Sequence, residues 1–396
     1  MNDNKISKNS IVAKFAVPIS FLILFFLAAN FTDCDLVTFW KRRNHLTDLV
    51  VDMIPPDFSY IQKILLPLFY TIQMSVTGTV LGIFFALVLS PFGAANLGFP
   101  AVIRRILRIV IQILRSFPAL ILALTATFLF GLGTFAGTFA ITLYTFAIMT
   151  KLTYEDASAA DVKAYQALRA MGVSKYVAYI HGILPEIIPG FLTNALYLLE
   201  TNVRHSSILG YVGAGGIGLL LNEKISWLEY DKVGTILLML FLTVCVIEYF
   251  SRYLAALIRK ERTIKKEQAR LLILFLAALF LICTFTLSLP DFSRTSPQTL
   301  RNMFAGFLQP DWSFFFSAEK DGLGYLLLET VCIAFIGTVI GAIVSAPLAF
   351  LNTKRFVPAP VSFLFNLVIM VIRSVPFLVY GLISSGYPGQ ELSQEC

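Results

Sequence analysis

The sequence predicts an all-α membrane protein, a polytopic helical bundle of about nine transmembrane helices. Three observations predict it. Of 396 residues, 57% are hydrophobic and 14% charged, against ~25% charged in ordinary soluble domains, and the mean hydropathy is +0.77. Apolar runs near the ~20 residues needed to cross a ~30 Å hydrocarbon core recur along the whole length. Basic segments alternate with those runs, so the net charge of +7 reads as positive-inside loops rather than as a nucleic-acid surface.

Residues 1–30 hold the first span, about Lys14 to Ala29. It follows Lys5, Lys8 and Lys14 as a signal peptide would, but it is long and lacks a clear small-residue cleavage site. It therefore reads as uncleaved, with the N-terminus in the cytoplasm. Residues 31–63 form an extracytoplasmic segment, against which only Lys41-Arg42-Arg43 argues. A first unit follows over residues 64–258. Its span two runs from about Leu65 to Ser90 and ends at Pro91. Arg104, Arg105, Arg108 and Arg115 mark a basic cytoplasmic helix that enters span three through Arg115-Ser116-Phe117-Pro118, where proline kinks a buried helix. Gly131, Gly133 and Thr134 permit a tight reversal near Leu132, and span four, about Phe135 to Met149, returns to the cytoplasm at Lys151.

Residues 151–189, KLTYEDASAADVKAYQALRAMGVSKYVAYIHGILPEIIP, are the longest polar segment between strongly apolar ones. The spacing predicts two short helices. Ser158 or Asp161 can cap one that runs to Met171, with Gly172 as its left-handed stop. Ser174 can cap the second, which Pro185 limits near Leu184.

Here the residues resemble a known family, the permease subunits of ATP-driven importers. Their coupling loop carries Glu-Ala-Ala, three residues, Gly, nine residues, Ile, any residue, Leu-Pro. Gln166-Ala167-Leu168, Gly172 and Leu184-Pro185 fall at that spacing, with Gln for Glu, Leu168 for the second Ala and Gly182 where Ile is usual. A second run, Glu200-Thr201-Asn202-Val203-Arg204 through Leu209-Gly210-Tyr211-Val212-Gly213-Ala214-Gly215-Gly216-Ile217-Gly218, is similar to the phosphonate-type, PhnE-like permeases of that class. The resemblance implies a bundle of the type I ABC importer permease kind. It also implies a partner ABC ATPase dimer that carries the ATP and Mg, an extracytoplasmic substrate-binding protein, and translocation of phosphonate or a related phosphorus oxyanion. No cofactor is then bound by this chain, which has no Gly-x4-Gly-Lys-Ser/Thr phosphate loop of its own.

Span five begins near Ile187 and span six covers Val233 to Ile258. Residues 259–270, with Arg259-Lys260-Glu261-Arg262-Thr263-Ile264-Lys265-Lys266, form a basic cytoplasmic linker. The pattern then begins again over residues 271–383. Span seven is Leu271 to Leu289, span eight Tyr325 to Leu351 and span nine Val361 to Ile383. Pro56-Asp57-Phe58-Ser59 pairs with Pro310-Asp311-Trp312-Ser313, Thr71, Gly78, Thr79 and Gly82 with Thr330, Gly337, Thr338 and Gly341, and Arg115-Ser116-Phe117-Pro118 with Arg373-Ser374-Val375-Pro376. That is a tandem repeat. Its second copy is incomplete, since residues 384–396 form a polar tail unlike anything after Pro118. A truncated or frame-shifted gene is the expectation.

Within span five, ionised groups at membrane depth cost at least ~2.5 to 3.5 kcal/mol on insertion scales. Glu200 and Arg204 lie at i, i+4 and can pair. Either the pair stiffens the span, or Arg204, Asn202 and Ser206 line the route of an oxyanion while Glu200 holds Arg204 until a gate opens. Gly213, Gly215, Gly216 and Gly218 satisfy Gly-x-Gly-x-x-Gly only formally. They suit close helix approach or a re-entrant segment beside the pore. On the family pattern, Gln166, Ala167 and Gly172 receive force, with Leu184 and Pro185 anchoring the second helix.

Cys34, Cys245, Cys283, Cys332 and Cys396 and the scattered His45, His181 and His205 offer no metal set and no catalytic triad, so a transport subunit rather than an enzyme is expected. The aromatic residues read as facing membrane lipid and its interface. Two other readings stay open: an ion-coupled secondary transporter, which also uses repeats and broken helices, and a non-functional truncated remnant. The sequence also leaves room for a second permease chain.

Overall fold

The structure, a computed structural model, describes residues 19–32, 47–48, 51–261, 265–288, 290, 301–302, 305–306, 309, 312–317, 322–353, 355–375 and 380–381. Lys5, Lys8 and Lys14, most of the segment 31–50, Arg262-Thr263-Ile264, Pro310-Asp311, Pro376 and the tail 384–396 lie outside the described residues.

The described elements are helical: α1 (Ile19–Phe31), α2 (Ile61–Gly93), α3 (Ala101–Ser116), α4 (Ala119–Phe130), α5 (Thr134–Ala159), α6 (Lys163–Ala170), α7 (Lys175–Gly182), α8 (Leu184–Leu209), α9 (Ile217–Ser226), α10 (Tyr230–Ile258), α11 (Lys266–Phe285), α12 (Leu323–Asn352) and α13 (Ala359–Ser374). Five of them, α2, α5, α10, α11 and α12, are long and apolar enough to cross a membrane. Two bent pairs, α3 with α4 at 93° and α7 with α8 at 69°, raise the number to seven if each is one span. The expected nine is not reached among the described residues, because α1 and α13 are too short to count as spans.

The chain divides into two compact units, residues 1–48 with 301–372 and residues 49–300 with 373–396. In the first, Phe21 of α1 meets Phe335 edge-on at 5.1 Å and Phe31 meets Tyr325 at 5.0 Å. The second unit carries all the candidate site residues and is built on the pairing of α2 with α5. Gly78 and Gly82 make that pairing close. A Cβ on Gly78 would lie 2.7 Å from Ile141 Cγ2, and one on Gly82 2.7 Å from Thr145 Cβ. Small residues spaced by four present a smooth stripe that lets two backbones approach. The repeat-related Gly337 and Gly341 of α12 meet nothing within 4 Å among the described residues.

Around this pair the chain turns where the sequence supplies turn residues. The α4–α5 reversal places Gly131 at φ 83°, and Pro118 precedes the first turn of α4. One expectation is corrected. α5 does not end near Met149 but runs to Ala159, so the first nine residues of the polar stretch extend a helix. Lys151 and Glu155 form an i, i+4 ion pair at 3.3 Å, and the Thr153 and Ser158 hydroxyls donate back to the Met149 and Tyr154 carbonyls. Polar residues that satisfy one another along the helix let it continue out of the apolar zone.

At the other end of the bundle Lys224 of α9 is buried with its Nζ 3.0 Å from Glu223 and 2.9 Å from Glu229, and 4.2 Å from the Trp227 ring centroid. Burial works to lower its pKa, but the bonds to Glu229 and Glu223 outweigh that and hold it above the ordinary lysine value. The amine stays charged and ties α9 to the start of α10. α11, expected to open the second copy, falls in the same compact unit as α2, where Gln73 donates to Cys283 O at 3.1 Å and Thr286 Oγ1 at 2.8 Å. Both bounds of α13 lie 258 positions after those of α3 (359 − 101 and 374 − 116).

Gly82→Val should destabilise the protein by about 1–3 kcal/mol through overpacking against Thr145, whereas Gly341→Val should leave it nearly unchanged. Thermal unfolding of the two detergent-purified variants checks this, and equal shifts would count against the α2–α5 contact.

Candidate coupling elbow and intramembrane charge network

α6 and α7 form a two-helix elbow whose ends follow the local sequence. Of the two capping candidates, Ser158 lies inside the last turn of α5. Asp161 instead accepts the Lys163 amide at 2.9 Å and pairs with Lys163 Nζ at 3.2 Å. That amide, chiefly, holds the Asp161 carboxyl below its ordinary pKa. α6 stops because Gly172 takes φ +85°. The Gly172 amide bonds Arg169 O at 3.1 Å and the Val173 amide bonds Leu168 O at 3.2 Å, the paired bonds of a Schellman stop. Ser174 Oγ accepts the Val177 amide at 3.4 Å and caps α7. Pro185 sits in the first turn of α8, where its missing amide costs no bond.

Gln166, Ala167, Gly172 and Pro185 are exposed, while Leu168 and Leu184 turn inward onto a core of Leu97, Ala157, Tyr165, Tyr179 and Ile183. Met171, 72% exposed at the elbow's tip, was not singled out from sequence. Gly182, where the family pattern has Ile, lets α6 and α7 touch, since a Cβ there would lie 2.8 Å from the Tyr165 amide nitrogen.

The elbow is clasped to the α2–α3 connector. Tyr165 Oη donates to Leu97 O at 2.6 Å, and the connector is also bonded to the end of α5, Asn96 Nδ2 to Ala157 O at 2.9 Å and the Ala95 amide to Ser158 Oγ at 3.1 Å. Lys175 Nζ donates to Gly98 O. Arg108 of α3 closes the clasp, its Nε donating to Gly93 O at 3.0 Å and its guanidinium lying 5.0 Å from the Tyr154 ring centroid. Sequence reasoning missed this connector because most of what it contributes is backbone carbonyl.

α8 presents two different faces. Asn202 is fully buried and donates to Thr79 Oγ1 and Thr145 Oγ1, both at 2.8 Å, so it joins α8 to α2 and α5. Ser206, also fully buried, lies with its Oγ 3.0 Å from Ser75 Oγ. In this conformation these two hold helices together rather than open onto a passage. The other face carries charge. Arg204 pairs with Glu200 and lies 3.9 Å from Glu248 of α10, which itself pairs with Arg252. Arg373, in the same unit, reaches Glu200 at 3.3 Å. Glu248, 3% exposed, was missed, although an ionisable residue within an apolar run is by itself a signal. The Arg204 Nε has no hydrogen-bond partner among the described residues, and His205 packs edge-on to Tyr144 at 5.2 Å.

Beyond α8 the chain doubles back through a turn in which Gly213, Gly215 and Gly216 have positive φ. Gly216 at φ 72° aims the Ile217 amide at Thr71 Oγ1, 2.8 Å away. Gly218 packs so closely that a Cβ would stand 1.8 Å from Ser207 O. The glycines therefore serve backbone contact between α8, α9 and α2.

The description of the binding-protein-dependent transport system inner membrane component family matches residues 78–264, the stretch that holds the elbow and Glu200, Arg204, Glu248 and Arg252. The phosphite transport system permease protein PtxC of Stutzerimonas stutzeri is 31% identical over 217 residues, 55% of this chain and 79% of that protein. The chain belongs to this family. The phosphate-import permease protein PhnE of Mycolicibacterium smegmatis is 32% identical over 203 residues, 51% of this chain and 38% of that one. The inward-facing MetNI methionine ABC transporter aligns with a TM-score of 0.46 at 20% identity, over 51% of this chain and 99% of that one.

The protein is thus an ABC importer permease of the multi-pass inner-membrane kind, a transport subunit and not an enzyme. Membership also decides between the two transport classes left open by the sequence, against the ion-coupled one. Within this permease, Glu200→Ala should cost about 3–5 kcal/mol by stranding the buried Arg204 charge, whereas Asn202→Ala should cost about 0.6–1.7 kcal/mol. Urea or thermal titration of both variants in detergent measures the order, and the reverse order would refute the network.

Proposed function

We propose that this permease moves phosphite, phosphonate or a related phosphorus oxyanion into the cytoplasm. An ABC ATPase dimer carrying ATP and Mg grips the elbow from the cytoplasmic side, and an extracytoplasmic binding protein delivers the cargo. The N-terminus and the basic linker lie on the elbow's side. The observation that carries the mechanical part is the elbow's two-faced build, with Gln166, Ala167, Met171 and Gly172 outward and the other face tied to the α2–α3 connector by Tyr165 and Lys175. A partner can shift a conformational equilibrium only by its differential affinity for the two states. An elbow bonded to both the α2–α3 connector and α8 lets a small displacement reach both at once.

The cargo assignment is supported by the names of the relatives above and by Arg204. Its guanidinium has donors to spare beside Glu200, and a planar fork of N–H groups suits an oxyanion. Glu200 holds it until the helices part. The equal 258-residue offset of α13 and α3 supports a tandem second unit.

In proteoliposomes holding this permease, its ATPase and its binding protein, labelled phosphite or methylphosphonate should accumulate only with ATP. Gly172→Val should reduce uptake several-fold, since a side chain in the left-handed region costs roughly 1–2 kcal/mol at the stop of α6. Arg204→Ala should abolish uptake while ATP hydrolysis persists. Full uptake by the Arg204 variant at equal protein level would dispose of its role, and uptake without ATP would dispose of the importer reading.

A further inference from the structure

Two arginines from distant parts of the chain meet on one carboxylate oxygen. Glu200 Oε1 accepts Arg204 Nη2, one turn further along α8, and also Arg373 Nη2 at 3.3 Å. The side chains of Glu200 and Arg204 are 9% and 14% exposed and that of Arg373 46%, so one guanidinium lies inside the bundle and the other reaches in from its surface. Arg373 is anchored by its neighbours. Ser374 is buried, and Val375 packs on the core of Ile64, Leu68, Ile217 and Leu240, within the same compact unit.

The charges around this oxygen do not cancel. Glu248 Oε1 pairs with Arg252 and its Oε2 lies 3.9 Å from Arg204. Among the described residues, then, the three guanidiniums of Arg204, Arg252 and Arg373 face the two carboxylates of Glu200 and Glu248. A guanidinium keeps its proton in proteins, so with both acids ionised the cluster carries one positive charge in excess. The buried Arg204 Nε adds a donor with no partner among the described residues. Arginine forks bind carboxylates and phosphorus oxyanions through the same parallel N–H bonds. At this seat the Glu200 carboxylate is therefore chemically interchangeable with a phosphonate, phosphite or phosphate group.

We propose that Glu200 is a resident stand-in for the cargo and that Arg373 is, with Arg204, a cargo-recognition residue. The oxyanion takes the seat between the two guanidiniums when Glu200 leaves it. This rests on the cargo reading above, to which it adds a second arginine and a reason for the acid. While no cargo is present, Glu200 neutralises Arg204 at membrane depth, where an unpaired charge is costly. An arriving oxyanion offsets what the departure of Glu200 costs, and a neutral solute does not, so the seat opens selectively. The single excess charge suits a singly charged oxyanion.

The test begins with the full chain in detergent. Glu200→Gln leaves Arg204 and Arg373 without their shared partner and should lower the unfolding temperature. Phosphite or methylphosphonate should then raise the variant's unfolding temperature by at least about 2 °C more than it raises that of the wild type, since a ligand stabilises the state it binds. Chloride at matched ionic strength should not, and adding Arg373→Gln should remove the effect. If Glu200→Gln fails to fold, the more exposed Arg373 carries the test in proteoliposomes with the ATPase and the binding protein. There Arg373→Gln should cut the phosphite accumulated per ATP hydrolysed about ten-fold, as loss of a hydrogen bond to a charged group implies. Arg259→Gln, at the far end of α10, should leave that ratio unchanged. The proposal is overturned if neither oxyanion stabilises the Glu200 variant beyond the wild type, if chloride does so equally, or if Arg373→Gln leaves both the stabilisation and the transport ratio unchanged. A wild-type complex that accumulates neither labelled oxyanion with ATP overturns the cargo reading as well, whereas one that accumulates them just as the Arg373 variant does overturns the two-arginine seat alone.

Discussion

Pressing one apolar helix against another inside hydrocarbon gains little, because lipid tails are as apolar as the helices themselves. The bundle therefore depends on what lipid cannot supply: close backbone approach and interhelical hydrogen bonds. Gly78 and Gly82 supply the first, bringing α2 against Ile141 and Thr145 of α5. Asn202 supplies the second from α8, with both amide hydrogens used on threonines of α2 and α5. Close packing and hydrogen bonds thus meet at one three-helix junction of α2, α5 and α8.

This junction explains why the charges and the elbow sit where they do. α8 is committed to α2 and α5 along one face, so its ionisable residues collect on the face toward α10, where Glu200, Arg204, Glu248 and Arg252 neutralise one another. A buried pair of this sort is costly when one partner is removed, yet it adds little net stability over an apolar pair. The elbow sits where α5 and α8 both emerge, and the bonds of Tyr165 and Lys175 to the α2–α3 connector join it to the third helix of the junction as well. Displacement of the elbow is thus not an isolated loop motion.

Much of this was legible in the sequence, and the reasons differ by element. The long spans were readable from apolar run length, and the bends at Pro118, Gly131 and Gly172 from residues whose backbone preferences are local. The Glu200–Arg204 pair was readable because i, i+4 spacing fixes proximity without tertiary knowledge. The continuation of α5 to Ala159 was not, since polar residues after an apolar run look like a loop until their own pairings are known. Asn202 and Ser206 looked like candidates for the path because polarity in a span marks importance but not direction. Only the partners, Thr79, Thr145 and Ser75, show which way they face.

The same stripe of small residues occurs twice, and its two fates show what a local pattern determines. Gly78-Thr79-Val80-Leu81-Gly82 and Gly337-Thr338-Val339-Ile340-Gly341 share spacing and character. Each threonine whose carbonyl partner is four residues back makes the same intrahelical bond, Thr79 to Ser75 O and Thr338 to Ala334 O. The first stripe is packed to within 3 Å of a hypothetical Cβ, while the second meets nothing within 4 Å among the described residues. Helix formation is therefore settled by each segment alone, whereas packing is a property of the partner. The glycines in α2 become structural only because α5 brings Ile141 and Thr145 against them, and the order of helices along the chain, not the motif, supplies that neighbour.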